Sequence, residues 1–121
     1  VMLGANDIEA SKAFYDAALG ALGARPGIVD PKGRVIYMHN GGLFLLTRPI
    51  DGADASCGNG STIGFAAASA EQADAFHAAG VAHGGTAIED PPGVREGAGM
   101  KLYLAYLRDP AGNKICAMHR V

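Results

Sequence analysis

Apolar and polar positions along the chain change rhythm in a fixed order, and that order occurs twice. Val1 to Ala5 is a short apolar run that reads as a strand. Asn6-Asp7 then supplies a helix N-cap, with Glu9 three residues after Asn6 as in a capping box. Ile8, Tyr15, Leu19 and Leu22 recur at helical spacing, Phe14 and Ala18 widen the stripe, and Gly20 and Gly23 end it. Such a stripe reads as core packing. In the second half Ser61 to Ala68 reads as a strand, Ser69 caps a helix with Gln72 as its box partner, and Gly84-Gly85 stops it. Its stripe of Ala73, Phe76, Ala79, Gly80 and Val81 is weaker. At a constant offset of 62, Asp7 falls on Ser69, Glu9 on Glu71, Phe14 on Phe76, Leu19 on Val81 and Gly23 on Gly85.

The stretch after each helix is β-like. Ala24 to Val29 is short, Asp30-Pro31-Lys32-Gly33 is a turn, and Arg34–Asn40 and Leu43–Arg48 alternate as strands around Gly41-Gly42. The first half therefore reads β-α-β-β-β. Residues 50–60 have linker composition, which sets the first module at 1–49 and the second at 61–121. The second module repeats the order with Thr86–Glu89, a strand over Met100–Arg108, the turn Asp109-Pro-Ala-Gly-Asn113 and a last strand over Lys114–Arg120. Its closing hairpin matches the first at an offset of 71, with Gly41 over Gly112. The extra length is expected in Pro91–Gly99, read as an irregular loop with Arg95 among its glycines, and such loops often carry function.

At 121 residues the chain is expected to be one domain of α+β class. A net charge of −2 without charge runs gives no basic stripe for nucleic acid, and no apolar run is long enough to span a membrane. Two cysteines, Cys57 and Cys116, are too few for a disulfide framework, so a cytoplasmic setting is expected.

Asn6-Asp-Ile-Glu-Ala-Ser11, Phe14-Tyr15, Leu19-Gly-Ala-Leu-Gly23, Asn59-Gly-Ser-Thr-Ile-Gly-Phe65, Asp74-Ala-Phe-His77 and Asp109-Pro-Ala-Gly-Asn-Lys-Ile115 together resemble the vicinal-oxygen-chelate superfamily, which includes glyoxalases, bleomycin-resistance proteins and extradiol dioxygenases. The resemblance covers the whole chain. It implies two tandem βαβββ modules with curved, mostly antiparallel sheets enclosing a cleft within one chain or across a homodimer. It also implies metal ligands, usually His or Glu, from the first and last strand of each module, suited to Zn, Ni, Mn or Fe. The ligand positions in this sequence hold Thr62, Cys116 and, by the repeat, Leu45; the fourth precedes Val1. A leucine cannot ligate, and a threonine hydroxyl is a poor ligand alone, so no metal and no cofactor is expected.

Strand alternation then gives expectations for the cleft. Thr62, Gly64 and Ala66 share a face, as do Met2 and Gly4, Leu43, Leu45 and Thr47, and Lys114, Cys116 and Met118. On Met100–Arg108 the more apolar side, Leu102, Leu104 and Tyr106, is assigned to the helix, leaving Lys101, Tyr103 and Ala105 for the cleft. On Arg34–Asn40, Ile36 and Met38 are assigned to the core, leaving Tyr37 and His39. The ligand-binding set is thus Tyr37, His39, Leu45, Thr47, Thr62, Gly64, Arg95, Tyr103, Cys116 and Met118, with His39, Tyr103 and Cys116 as candidates for chemistry. This is the make-up of a small-molecule pocket, mostly apolar with a few polar groups. Three readings stand at this point: a metal-independent, bleomycin-resistance-type protein that binds a small, largely apolar molecule; a glyoxalase-like lyase or isomerase, or another enzyme of the superfamily; and a structural partner domain with a vestigial cleft.

Overall fold

The computed structural model describes residues 1–121 and keeps the repeat to the residue. Helix α1 spans Ile8–Gly20 and α2 spans Ala70–Ala82. Each N-cap accepts a hydrogen bond from the amide three residues on: Asp7 from Ala10 at 3.0 Å, and Ser69 from Gln72 at 3.1 Å. The cap of α1 is therefore Asp7 rather than Asn6. The Asn6 side chain instead accepts the Ala55 N–H at 2.8 Å and pins the 50–60 linker. Gln72 also accepts from the Ala68 amide, closing a box around the start of α2.

The first module contributes β1 (Met2–Gly4), β2 (Ile28–Val29), β3 (Val35–His39) and β4 (Gly42–Thr47), ordered β1-β4-β3-β2 with only β1 and β4 parallel. The second contributes β5 (Ile63–Ala66), β6 (Thr86–Ala87), β7 (Gly93–Gly97), β8 (Met100–Arg108) and β9 (Lys114–Arg120), ordered β5-β9-β8-β6 with β7 also on β8. The two curved sheets do not close on each other. Met2 pairs with Leu45 in one and Gly64 with Cys116 in the other, so the offsets of 62 and 71 reproduce one register twice.

Two turns depart from the sequence reading. Pro91–Gly99 is not an irregular loop: Gly93–Gly97 forms a strand that pairs with Met100–Leu104 across Ala98-Gly99, both at positive φ. Left-handed φ at both central residues is what a tight type I′ hairpin needs. The same geometry joins β3 to β4 at Asn40-Gly41, one residue earlier than the glycine pair suggests.

One core unites the modules. Phe14, Tyr15, Ala18 and Leu19 of α1 and Ala73 and Phe76 of α2 pack with Val35, Tyr37, Phe44 and Leu46 of the first sheet and Ala105, Leu107, Ile115 and Ala117 of the second. The Tyr15 hydroxyl donates to Asp109 at 2.6 Å, and the Asn113 side-chain amide donates to Asp109 at 3.0 Å and to the Gly4 carbonyl at 3.1 Å. The Asp-Pro-Ala-Gly-Asn turn thereby ties the second module to the first helix and strand. Neither helix is long and apolar enough to cross a membrane.

Candidate functional site

Helices cover one side of each sheet, and the opposite sides are open. Cross-strand partners share a face, so the pairing register assigns every side chain. On the first sheet a continuous row, Met2–Leu45–Ile36–Ile28, crosses all four strands on the open face, with Met38–Leu43 beside it. Ile28 and Met38 are 61% and 64% exposed, an unusual position for large apolar groups. On the second sheet the matching row is Gly64–Cys116–Tyr106, flanked by Ala66–Met118–Leu104–Gly93 and then Arg120–Leu102–Arg95.

The expected site residues divide accordingly. Leu45, Thr47, Gly64, Cys116, Met118 and Arg95 lie on the open faces, Arg95 from a strand rather than a loop. Thr62 is exposed one residue ahead of β5, in step with Gly64.

Three placements are corrected. Tyr37 is 2% exposed on the helix side, where its hydroxyl donates to Asp16 at 2.8 Å, with the Lys12 carbonyl 3.2 Å away. Tyr103 also lies on the helix side and donates to Asp74 of α2 at 2.6 Å. His39 shares the side of Tyr37, and both line a cavity of roughly 270 Å³ between the modules, with Leu19, Phe44 and Phe65 among its walls and Leu43, Gly64 and Ala66 joining it from the open faces. A tyrosine has an apolar ring and a polar tip, so it can fill a core while its hydroxyl reaches a helix carboxylate. The residues expected under the helices, Ile36, Met38, Leu102, Leu104 and Tyr106, face outward instead, whereas Lys101, expected in the cleft, is on the side of Tyr103 and Ala105.

Tyr106 is the residue that the apolar-side rule missed. It stands opposite Cys116, with the Lys114 ammonium 5.0 Å from its ring centroid. Its hydroxyl makes no hydrogen bond within the chain. Burial pushes its phenol up first, then the neighbouring Cys116 and Glu89, against the pull of Lys114 and Arg95. Burial likewise pushes the Cys116 thiol up; Lys114 opposes this and Glu89 adds to it. Lys114 is itself paired with Glu89. Both groups are thus neutral near pH 7 and able to give or take hydrogen bonds.

The donor chemistry does not fit the metal that the family resemblance implies. Leu45 has no donor atom, Thr62 offers a neutral hydroxyl, and burial disfavours the thiolate of Cys116 that a metal would need. No group of three or more His, Cys, Asp or Glu side chains gathers anywhere in the molecule.

The model of the glyoxalase-like domain family matches residues 1–118. The chain belongs to that family. Within the vicinal-oxygen-chelate superfamily, this glyoxalase-like domain is similar to a glyoxalase/bleomycin resistance protein from Albidiferax ferrireducens T118. The two are 62% identical with a TM-score of 0.95, covering 99% of this chain and 96% of that one. A glyoxalase/bleomycin resistance protein/dioxygenase family enzyme from Burkholderia phytofirmans PsJN shares the fold at 20% identity and a TM-score of 0.75, with 100% and 96% covered. A glyoxalase-related enzyme from Fulvimarina pelagi does so at 20% and 0.70, with 98% and 84% covered. No curated protein matches the chain.

Proposed function

We propose that this glyoxalase-like domain binds a small, largely apolar molecule on its open sheet faces without a metal, in the manner of a bleomycin-resistance-type protein. The observation that carries this is the Met2–Leu45–Ile36–Ile28 row, an aliphatic wall across a whole sheet with its ends, Met2 and Ile28, exposed and its middle, Leu45 and Ile36, half-buried. The second module supplies the polar side of the site, Cys116, Tyr106 and Arg95, with Thr62 and Met118 at its borders, and the first module adds Thr47. A homodimer that sets the aliphatic face of one copy against the polar face of another would enclose the ligand on both sides. Two free thiols and the likeness to the Albidiferax protein support an intracellular, ligand-binding role.

The test is a fluorescence titration with the neutral probe N-phenyl-1-naphthylamine. Saturable binding that Leu45→Lys and Met118→Lys each weaken, with melting temperatures preserved, is the expected result. Binding indifferent to both substitutions would sink the assignment to these faces. Stoichiometric Zn, Ni, Mn or Fe in protein purified without chelator, together with turnover of a hemithioacetal, would replace it with a glyoxalase-like lyase.

A further inference from the structure

We infer that the ligand of this site carries an anionic head group, and that Arg95 receives it; this rests on the binding reading above. Arg95 stands on the open face of the second sheet, opposite Leu102 in the β7–β8 hairpin. Its side chain folds back along β7 instead of reaching into solvent. One terminal nitrogen, Nη1, donates to the Gly93 carbonyl at 3.0 Å; the other, Nη2, donates to the carbonyls of Asp90 at 2.9 Å and Pro91 at 3.1 Å. A Cβ at Gly93 would just touch Nη1, at 3.4 Å, so the methyl groups of a larger side chain would crowd the guanidinium.

The charge held in this way has no counter-ion. The chain's four salt bridges join Lys12 to Asp16, Arg34 to Asp30, Lys101 to Glu96 and Lys114 to Glu89, and none includes Arg95. Neutral carbonyls orient a guanidinium without cancelling its charge. Of its five N–H donors three are used, which leaves two for a ligand. Orientation before binding removes much of the entropy cost that a free arginine would meet. The same cation is felt at Tyr106 and Tyr103, where it opposes the upward push on both phenols. The carboxylates of Asp74 and Glu71 act on Tyr103 from the helix side of β8. On the open side, Gly93 pairs with Leu104 and Leu104 with Met118, so the guanidinium borders an apolar floor. A fixed, uncompensated cation beside such a floor fits an apolar body with a carboxylate, sulfonate or phosphate at one end.

Two probes with one skeleton separate this inference from the reading beneath it: neutral N-phenyl-1-naphthylamine and its sulfonate, 8-anilinonaphthalene-1-sulfonate. The wild-type protein is expected to bind the sulfonate about tenfold more tightly or better, as one charge-assisted hydrogen bond would give, and to lose that preference as salt is raised. Arg95→Gln is expected to abolish the preference by weakening the sulfonate far more than the neutral probe, with an unchanged melting temperature reporting that the fold is intact. Gly93→Val keeps the charge but displaces the guanidinium, and is expected to reduce the preference. Lys114→Gln is expected to preserve it. Equal affinity for the two probes in the wild type, or a preference that survives Arg95→Gln or vanishes with Lys114→Gln, overturns the inference while the binding reading stands. Failure of both probes to bind overturns the binding reading and this inference with it.

Discussion

Cys116 is a thiol under opposing influences, and burial outweighs them. Desolvation and Glu89 disfavour its thiolate, and Lys114 recovers only part of the loss. Reaction with a disulfide reagent proceeds through the thiolate, so native protein at pH 7.5 should show one fast thiol, the half-buried Cys57, and one slow thiol. Two fast thiols in a native titration would mean that Cys116 is not shielded as described. Asp16 shows the reverse balance. Burial pushes its carboxyl up, but hydrogen bonds from Lys12, the Gly27 amide and Tyr37 hold it below the usual range. Stability from a depressed carboxyl is fully present above its unfolded value of about 3.9 and is lost as pH falls through its folded value. Asp16→Asn should cost about 1–3 kcal/mol at pH 7 and progressively less below pH 4, read from urea midpoints. Cys116 was legible because the Asp-Pro-Ala-Gly-Asn turn and strand alternation set it on one face with Lys114 and Met118, the face on which it pairs with Gly64. Tyr37 and Tyr103 were not, because residue type alone does not say whether a tyrosine's hydroxyl will find a partner under a helix.

At the scale of elements, the repeat was legible almost to the residue, since caps, glycine stops and register are set by local chemistry. What it hid were the places where local rules conflict with packing. Gly80 lies in the interior of α2, where alanine would ordinarily be better by about 1 kcal/mol. A Cβ there would meet Leu107 at 2.4 Å and Phe14 at 3.0 Å, both fully buried. Overpacking of a tight core typically costs about 1–3 kcal/mol, so Gly80→Ala should destabilise despite its propensity gain. A raised melting temperature for this variant would show that the α1–α2 contact is looser than the structure describes. Similarly, the Asp109 turn reads in sequence only as a turn, and its bond to Tyr15 spans 94 residues that no local pattern connects. Tyr15→Phe should lower stability by about 1–3 kcal/mol, because a buried carboxylate loses a donor. The β7 strand escaped because its two ends are glycines, which weaken any strand signal.

For the whole molecule, apolar character alone does not tell the core side of a strand from the open side: in β3 and β8 the more apolar side, which that rule assigns to the core, faces outward. Ile36 and Met38 face out from β3, and Leu102, Leu104 and Tyr106 from β8, while the core is already filled from the other side. On β8 these side chains are largely shielded by their neighbours, Leu104 being 8% exposed, but on the first sheet Met2, Ile28, Met38 and Leu43 form an exposed apolar patch of a kind that argues for a covering surface. A second copy suits the role because the two faces differ: the first module's is aliphatic, and the second's carries the thiol, the phenol and the arginine. Stable homodimers bury well over about 1,000 Å² in total. Sedimentation velocity at micromolar concentration should therefore show a dimer. The double variant Met38→Lys/Leu43→Lys should be monomeric with a melting temperature close to the wild type's, since both side chains are more than half exposed in the single chain, at 64% and 51%. It should also lose N-phenyl-1-naphthylamine binding, because a ligand held between two copies loses one wall when they separate. A wild-type monomer that still binds the probe would place the whole site within one chain and leave the apolar row of the first sheet without a partner.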